Sequence, residues 1–262
     1  MSWNLDFISE QDFYTHVEKT IKNYGDKLKP YNLKKFNKNI IDPIKLIFDK
    51  NIYGFAWEEI IKNEIFRQRD KSNNNDIGYF HQSIFQYIKN CEVPLNGWDV
   101  IFSKNDGINI GNGDKVSRIF VEMKNKHNTM NASSSRTTYI KMQAQLLEDD
   151  DCACFLVEAI AKKSQDIPWA MTIEGSQKKH KRIRRVSMDK FYELVTGRED
   201  AFYQMCLKLL EVIEKVVLEN ASNSVPKDSV IEELYTMVEN EKEAFVIALY
   251  MLGFGSYNNF KK

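Results

Sequence analysis

Three ionisable residues stand where a folded chain seldom puts charge: Asp99 in Trp98-Asp99-Val100-Ile101-Phe102, and Glu122 and Lys124 in Phe120-Val121-Glu122-Met123-Lys124. Both segments are β-branched and aromatic, which is strand composition. Side chains alternate along a strand, so Glu122 and Lys124 share a face, roughly 7 Å apart at the backbone. Ile119, Val121 and Met123 take the opposite, apolar face. Charges in such a strand are costly unless they are partnered or used. Hydrolysis of a phosphodiester would use them. That reaction needs a hard cation to polarise the phosphate and acidify an attacking water. Mg²⁺ takes a few carboxylate oxygens, keeps several waters and accepts phosphate oxygens as further ligands. Asp99 and Glu122 would supply the carboxylates and the Met123 carbonyl a third oxygen. Lys124 would stabilise the hydroxide and the charge developing at phosphorus. The plainer alternative is that Asp99 caps a turn while Glu122 pairs with Lys124 at a strand edge.

For Asp99 and Glu122 to meet, strands near 98–102 and 118–123 must form a hairpin, and the glycine- and asparagine-rich residues 107–114 between them suit its turn. Further strands are expected at 152–160, a buried apolar run, and at 169–173 and 183–186. Helical spacing marks Phe7, Phe13, Val17, Ile21 and Tyr24, then 56–67 with Trp57, Ile61 and Ile65 on one face. Asn73, Asn74 and Asn75 predict a break at 70–76 before a new helix at 79–89. Helices are also expected at 139–148, from Ser187 as N-cap to Gly197 as stop, at 202–216 and within 229–250. The expected fold is therefore α/β of the mixed α+β kind. A central mixed sheet of about five strands is flanked by helices in a single domain over 1–262. Its helical N-terminal part covers about 1–92, the catalytic sheet about 93–197 and the helical C-terminal part about 198–262.

Bulk properties narrow the functional classes. With 37 basic and 37 acidic residues the formal net charge is zero, which argues against a DNA coat protein but leaves room for a local basic groove. An apolar content of 43% supports a substantial core. No apolar stretch approaches a membrane span and the polar, acidic start is no secretory signal, so a cytoplasmic protein is expected. The four cysteines lack zinc-ligand spacing and read as reduced, buried thiols. No phosphate-cradling glycine motif is found, Gly111-Asn112-Gly113 being turn chemistry, so an ATP-driven nuclease subunit is not expected.

Trp98-Asp99-Val100 followed by Val121-Glu122-Met123-Lys124-Asn125-Lys126 resembles the active-site hairpin of type II restriction endonucleases of the PD-(D/E)xK superfamily. Gly78-Tyr79-Phe80-His81-Gln82, Ser133-Ser134-Ser135-Arg136 leading to Tyr139, and Phe191-Tyr192-Glu193-Leu194-Val195-Thr196-Gly197 resemble the members that cut GGNCC. The likeness spans about residues 54–210. It implies a restriction-endonuclease-like fold and a Mg²⁺-dependent homodimer on double-stranded DNA, each subunit cutting one strand. It also implies a methyltransferase that protects the host without contacting this chain. The motif's proline is replaced here by Trp98. Many relatives carry a further glutamate on the helix before the hairpin, a place for Glu59 or its neighbour Glu58. A repair or junction nuclease of the same superfamily is the alternative, and a non-enzymatic DNA-binding protein a third.

Residues expected to touch DNA follow from position and charge. Lys126, His127 and Asn128 leave the end of the catalytic strand, where they would lie beside the scissile phosphate. Ser134 and Arg136 stand at a helix start, which suits an anion, although ordinary capping explains the serines equally well. Lys178, Lys179, Lys181, Arg182, Arg184 and Arg185 form the densest basic run, and an arginine there could read guanine. Lys181, Arg182, Arg184 and Arg185 are the candidates taken from it.

Overall fold

The hairpin forms where the apolar segments require it. In a computed structural model that describes residues 3–27, 29–111, 113–127, 129–219, 227–237 and 244–254, β2 (Val100–Asn109) pairs antiparallel with β3 (Lys115–Lys126). Val100 faces Val121 and Phe102 faces Ile119, with a bulge between Ser103 and Ile108. The connecting turn is closed by the Ile110 N–H on the Asp114 carbonyl and the Asp114 N–H on the Gly111 carbonyl, both 3.1 Å. Gly111 and Gly113 sit there at φ +88° and +78°, a region that glycine enters without a Cβ penalty.

From β3 the chain crosses over α5 (Ala132–Glu148) to β4 (Cys152–Ile160), which lies parallel to β3. β6 (Ser176–Ser187) is parallel to β4, β5 (Asp166–Ile173) antiparallel to β6, and the short β1 (Cys91–Glu92) antiparallel to β2. The order β1-β2-β3-β4-β6-β5 gives a mixed sheet of six strands, one more than the five expected, with β3 and β4 innermost. Every residue of β4 from Cys152 to Val157 is buried. Such a run without alternation is what a strand covered on both faces requires.

Each face has its own cover. On one, Tyr139 and Met142 of α5 pack on Phe120, Cys154, Leu156 and Ile183. On the other, Ile119, Val121, Phe155 and Val157 meet three helices: Phe13 and Val17 of α1 (Glu10–Lys27), Phe191 of α6 (Met188–Thr196) and Met205 of α7 (Ala201–Glu219). Burying each such side chain stabilises the fold by about 1.5–3 kcal/mol. Ser187 and Gly197 bound α6 as expected, Gly197 at φ +75°. The Ser187 hydroxyl donates to the Gln165 carbonyl instead of capping the helix.

The chain groups into two compact units. Met1–Ile21 and Asp76–Asn220 form the first, which holds the sheet; Lys22–Asn75 and Ala221–Lys262 form the second. The second is helical: α2 (Leu33–Asn37), α3 (Pro43–Tyr53), α8 (Val230–Thr236), α9 (Ala244–Phe254) and the start of α4 (Trp57–Ser83). Phe36, Leu46, Ile61, Leu234 and Phe245 are in its core.

One expected boundary is absent. α4 passes unbroken through Asn73, Asn74 and Asn75 and ends in a 3₁₀ turn, Ile84–Tyr87. Asparagine costs a helix up to about 0.7 kcal/mol per residue. Against that, Asn74 Nδ2 donates to Asp70 Oδ2 one turn back (3.0 Å), and Arg69 is tied to Asp228 at 2.7 Å. The four cysteines are free, and the buried-thiol expectation holds fully for Cys152 and Cys154; Cys91 is half-buried and Cys206 exposed. No helix among the described residues is long and apolar enough to cross a membrane.

Candidate active site

The β2–β3 register, continued one residue beyond Val100–Val121, sets Asp99 opposite Glu122. The Asp99 N–H donates to the Val121 carbonyl (2.9 Å), and Asp99 Oδ2 accepts the Met123 N–H (2.7 Å). Lys124 Nζ lies 2.7 Å from Glu122 Oε1, on the face that alternation assigns to both. This is the ion pair of the plainer reading, yet β3 lies between β2 and β4 and is no edge. The partner of Asp99 is likewise a neighbouring strand, 24 residues on, not a local turn.

Two further charged residues join this face, and sequence reasoning missed both. Lys141, on α5, places Nζ 2.9 Å from Glu122 Oε2 and 2.7 Å from the Gly97 carbonyl. The same ammonium stands 3.9 Å from the centre of the Trp98 ring, whose Nε1 donates to Gln145 one turn along α5 (2.9 Å). Glu158 lies in register with Lys124 on β4 and is only 1% exposed. Its Oε1 accepts from Arg185 Nη2, and His127 Nδ1 is 3.2 Å away. Arg185 Nη2 also approaches that Nδ1 to 2.7 Å. Nδ1 can accept from Arg185 or donate to Glu158 according to the imidazole tautomer, and in either case the three side chains form one cluster. A carboxylate closing the apolar run 152–157 was a visible signal for Glu158. Lys141 had none, because its partners are remote in sequence.

The electrostatics follow from this crowding. Burial, reinforced by the like charge of Glu122, raises the Asp99 carboxyl above its ordinary value despite the Met123 N–H. Burial pushes Glu122 up as well, but the ammoniums of Lys124 and Lys141 outweigh it and hold that carboxyl below its usual range. Among the described residues no group of three or more His, Cys, Asp or Glu is arranged as a metal cage. Two half-buried carboxylates side by side at the sheet do fit a hard cation such as Mg²⁺, which keeps waters and needs few protein oxygens.

The other expected site residues are placed less uniformly. Lys126 is exposed at the end of β3, and Asn128 lies outside the described residues. Ser134 is exposed, its N–H given to the Asn131 cap, and Arg136 pairs with Glu174 at 2.6 Å. Lys181 pairs with Asp114 (2.7 Å) and Arg182 donates to the Asp150 carbonyl. Arg184 departs from the DNA-facing expectation: it is 5% exposed and bound to Asp166 through both carboxylate and carbonyl, tying β6 to β5. Ile183 and Val186 on either side of it are buried as well, so β6 is covered on both faces here and the bonds to Asp166 are what satisfy the guanidinium. Beside Lys124 a cavity of about 130 Å³ opens, with Lys126, Ser135, Glu158, Trp169 and Arg185 in its wall. Glu59 and Glu58 belong to the second unit, where Glu59 accepts the Ala56 N–H (3.1 Å) and Glu58 the Tyr235 hydroxyl (2.6 Å).

The family model of the Eco47II restriction endonuclease matches residues 5–218, a span that takes in the whole sheet. The chain belongs to the Eco47II restriction endonuclease family. Type II restriction enzyme Sau96I of Staphylococcus aureus is 30% identical over 213 residues, 78% of this chain and 78% of its own length. Type II restriction enzyme Eco47II of Escherichia coli is 30% identical over 245 residues, 87% of this chain and 96% of its own. This member of the Eco47II family is thus a type II restriction endonuclease, an enzyme acting on double-stranded DNA. Its mixed sheet between helices agrees with a restriction-endonuclease-like fold.

Proposed function

We propose that the chain is a Mg²⁺-dependent endonuclease that cuts both strands of a short interrupted palindrome, GGNCC, through Asp99, Glu122 and Lys124. The observation that carries the reading is the juxtaposition of Asp99 and Glu122 across β2 and β3, with Lys124 2.7 Å from Glu122 in an interior strand. Asp99, Glu122 and the Met123 carbonyl would hold the metal. The chemistry such a cation would supply there is polarisation of the scissile phosphate and a lowered pKa for a water it holds. Lys124 supplies a cation to the attacking oxygen and to the charge that builds on phosphorus. The cavity beside Lys124 accepts a neighbouring backbone phosphate, with Lys126 and Arg185 as its cations and His127 as a support for Arg185. Ser134, Arg136, Lys181 and Arg182 contact DNA further out, after the exposed ones exchange their ion pairs for phosphates. Arg184 and Glu59, each engaged within its own unit, are left out. A twofold site calls for a twofold enzyme, so the acting form is a homodimer whose host DNA is protected by a methyltransferase.

The test is digestion of unmethylated phage DNA with Mg²⁺. Discrete fragments whose ends map to GGNCC, lost in EDTA and restored by Mg²⁺, are expected. Fragments mapping elsewhere would reject the site, a smear would reject sequence-specific cutting, and cleavage persisting in EDTA would reject the metal mechanism.

A further inference from the structure

Glu122 has an ammonium on each oxygen, Lys124 Nζ at 2.7 Å and Lys141 Nζ at 2.9 Å. Together with Asp99, the four side chains carry two negative and two positive charges. A divalent cation added to that set would face repulsion from an ammonium about one carboxylate away, and Coulomb energies at such range are several-fold in binding even with water-like screening. Lys141 differs from Lys124 in what else holds it. Its Nζ already donates to the Gly97 carbonyl at 2.7 Å and lies 3.9 Å from the Trp98 ring centre. Trp98 is fixed in turn by Gln145, on the same face of α5 as Lys141. The ammonium can leave Glu122 and still keep a carbonyl acceptor and the face of an indole, which attracts a cation.

We propose that Lys141 is a built-in counter-ion of the metal site: it neutralises Glu122 in the metal-free enzyme and gives that carboxylate up when a divalent cation is bound. Lys141 is then a positioning residue that keeps Asp99 and Glu122 from repelling one another before metal arrives. The inference rests on the proposed metal role of Glu122.

The test is calorimetric titration of the DNA-free protein with Mg²⁺ and with Mn²⁺, for wild type, K141M, K141R and E122Q, with melting curves in EDTA. K141M keeps the stem against Trp98 and removes the charge. It should bind either ion about tenfold more tightly than wild type, melt lower in EDTA and gain more from metal. K141R, which keeps the charge, should stay within about twofold of wild type. A purely structural lysine would give the opposite sign, since loosening the Gly97–Trp98 segment weakens a site that includes Asp99. Equal or weaker binding by K141M therefore overturns the counter-ion role while leaving the metal site in place, provided E122Q loses binding. Undiminished binding by E122Q would overturn the metal reading and this inference with it. Should K141M not fold, K141Q takes its place with the same expected sign.

Discussion

At the scale of single residues, the sheet brings together side chains that repel or attract at hydrogen-bond range, so removing one has effects that differ by role. Lys124→Ala and Asp99→Ala should each lower the single-turnover cleavage rate by at least about a hundredfold, the usual loss when a charge-stabilising group is removed. Both should keep the wild-type circular dichroism spectrum, because neither is a core position. Asp99→Ala also strips the Met123 N–H of its acceptor, a cost of about 1 kcal/mol readable in urea denaturation. Wild-type cleavage by either variant would remove that residue from the active site. Arg184→Met should do the reverse. It breaks the pair with Asp166 at the β5–β6 edge and should cost about 2 kcal/mol, less than a fully buried pair because Asp166 is 31% exposed. DNA affinity should be unchanged, and a drop in affinity at constant stability would return Arg184 to the DNA interface.

At the scale of elements, the site depends on how closely helices approach the ends of β3. α5 reaches Glu122 and the segment before Asp99 through Lys141 and Gln145. α4 approaches from Gly78, where an added Cβ would stand 3.2 Å from Asn125 Oδ1, the residue after Lys124. Alanine there gains about 1 kcal/mol of helix propensity and asks the carboxamide to yield by a few tenths of an ångström, so Gly78→Ala should be close to neutral. Gly78→Leu has no such room and should destabilise by about 1–3 kcal/mol. It should also slow cleavage, because the end of β3 must move. Urea denaturation together with single-turnover rates checks both, and a Gly78→Leu variant as stable as wild type would mean the approach is looser than its 3.2 Å.

At the scale of the whole molecule, the balance of 37 basic and 37 acidic residues hides sharp local contrasts. Cations gather along β6 and at the end of β3, and elsewhere one histidine is buried and a second is partly so. Burial lowers the pKa of His16, 3% exposed with Nε2 at 3.0 Å from the Phe80 carbonyl, from 6.5 to about 4. Burial lowers that of His81 to about 4 as well. The unfolded chain binds these protons first, so stability is complete above pH 6.5 and declines as pH falls towards 4. For the buried His16 the loss approaches on the order of 3 kcal/mol, and for the partly buried His81 it is smaller. Melting temperatures should therefore drop through that window, and His16→Gln should flatten the decline. An unaltered pH profile in that variant would assign the acid sensitivity to other groups.

Periodicity alone determined a good part of this protein. Alternation placed Glu122 and Lys124 on one face and Met123 on the other, and the glycine-rich stretch between two apolar runs specified the hairpin that sets Asp99 against Glu122. These features are local: period two in a strand and positive φ in a turn follow from covalent geometry and nearest neighbours. The basic run 178–185 was legible as charge but not as orientation. Only pairing with β4 and β5 decided that Arg184 turns inward to Asp166 while Arg185 meets Glu158. Likewise only the packing of α5 on the sheet brought Lys141 to Glu122, and only ties such as Arg69 to Asp228 accompany α4 unbroken through three asparagines. Those contacts join residues that no short pattern links, and their free energy appears once the chain has closed the loops between them.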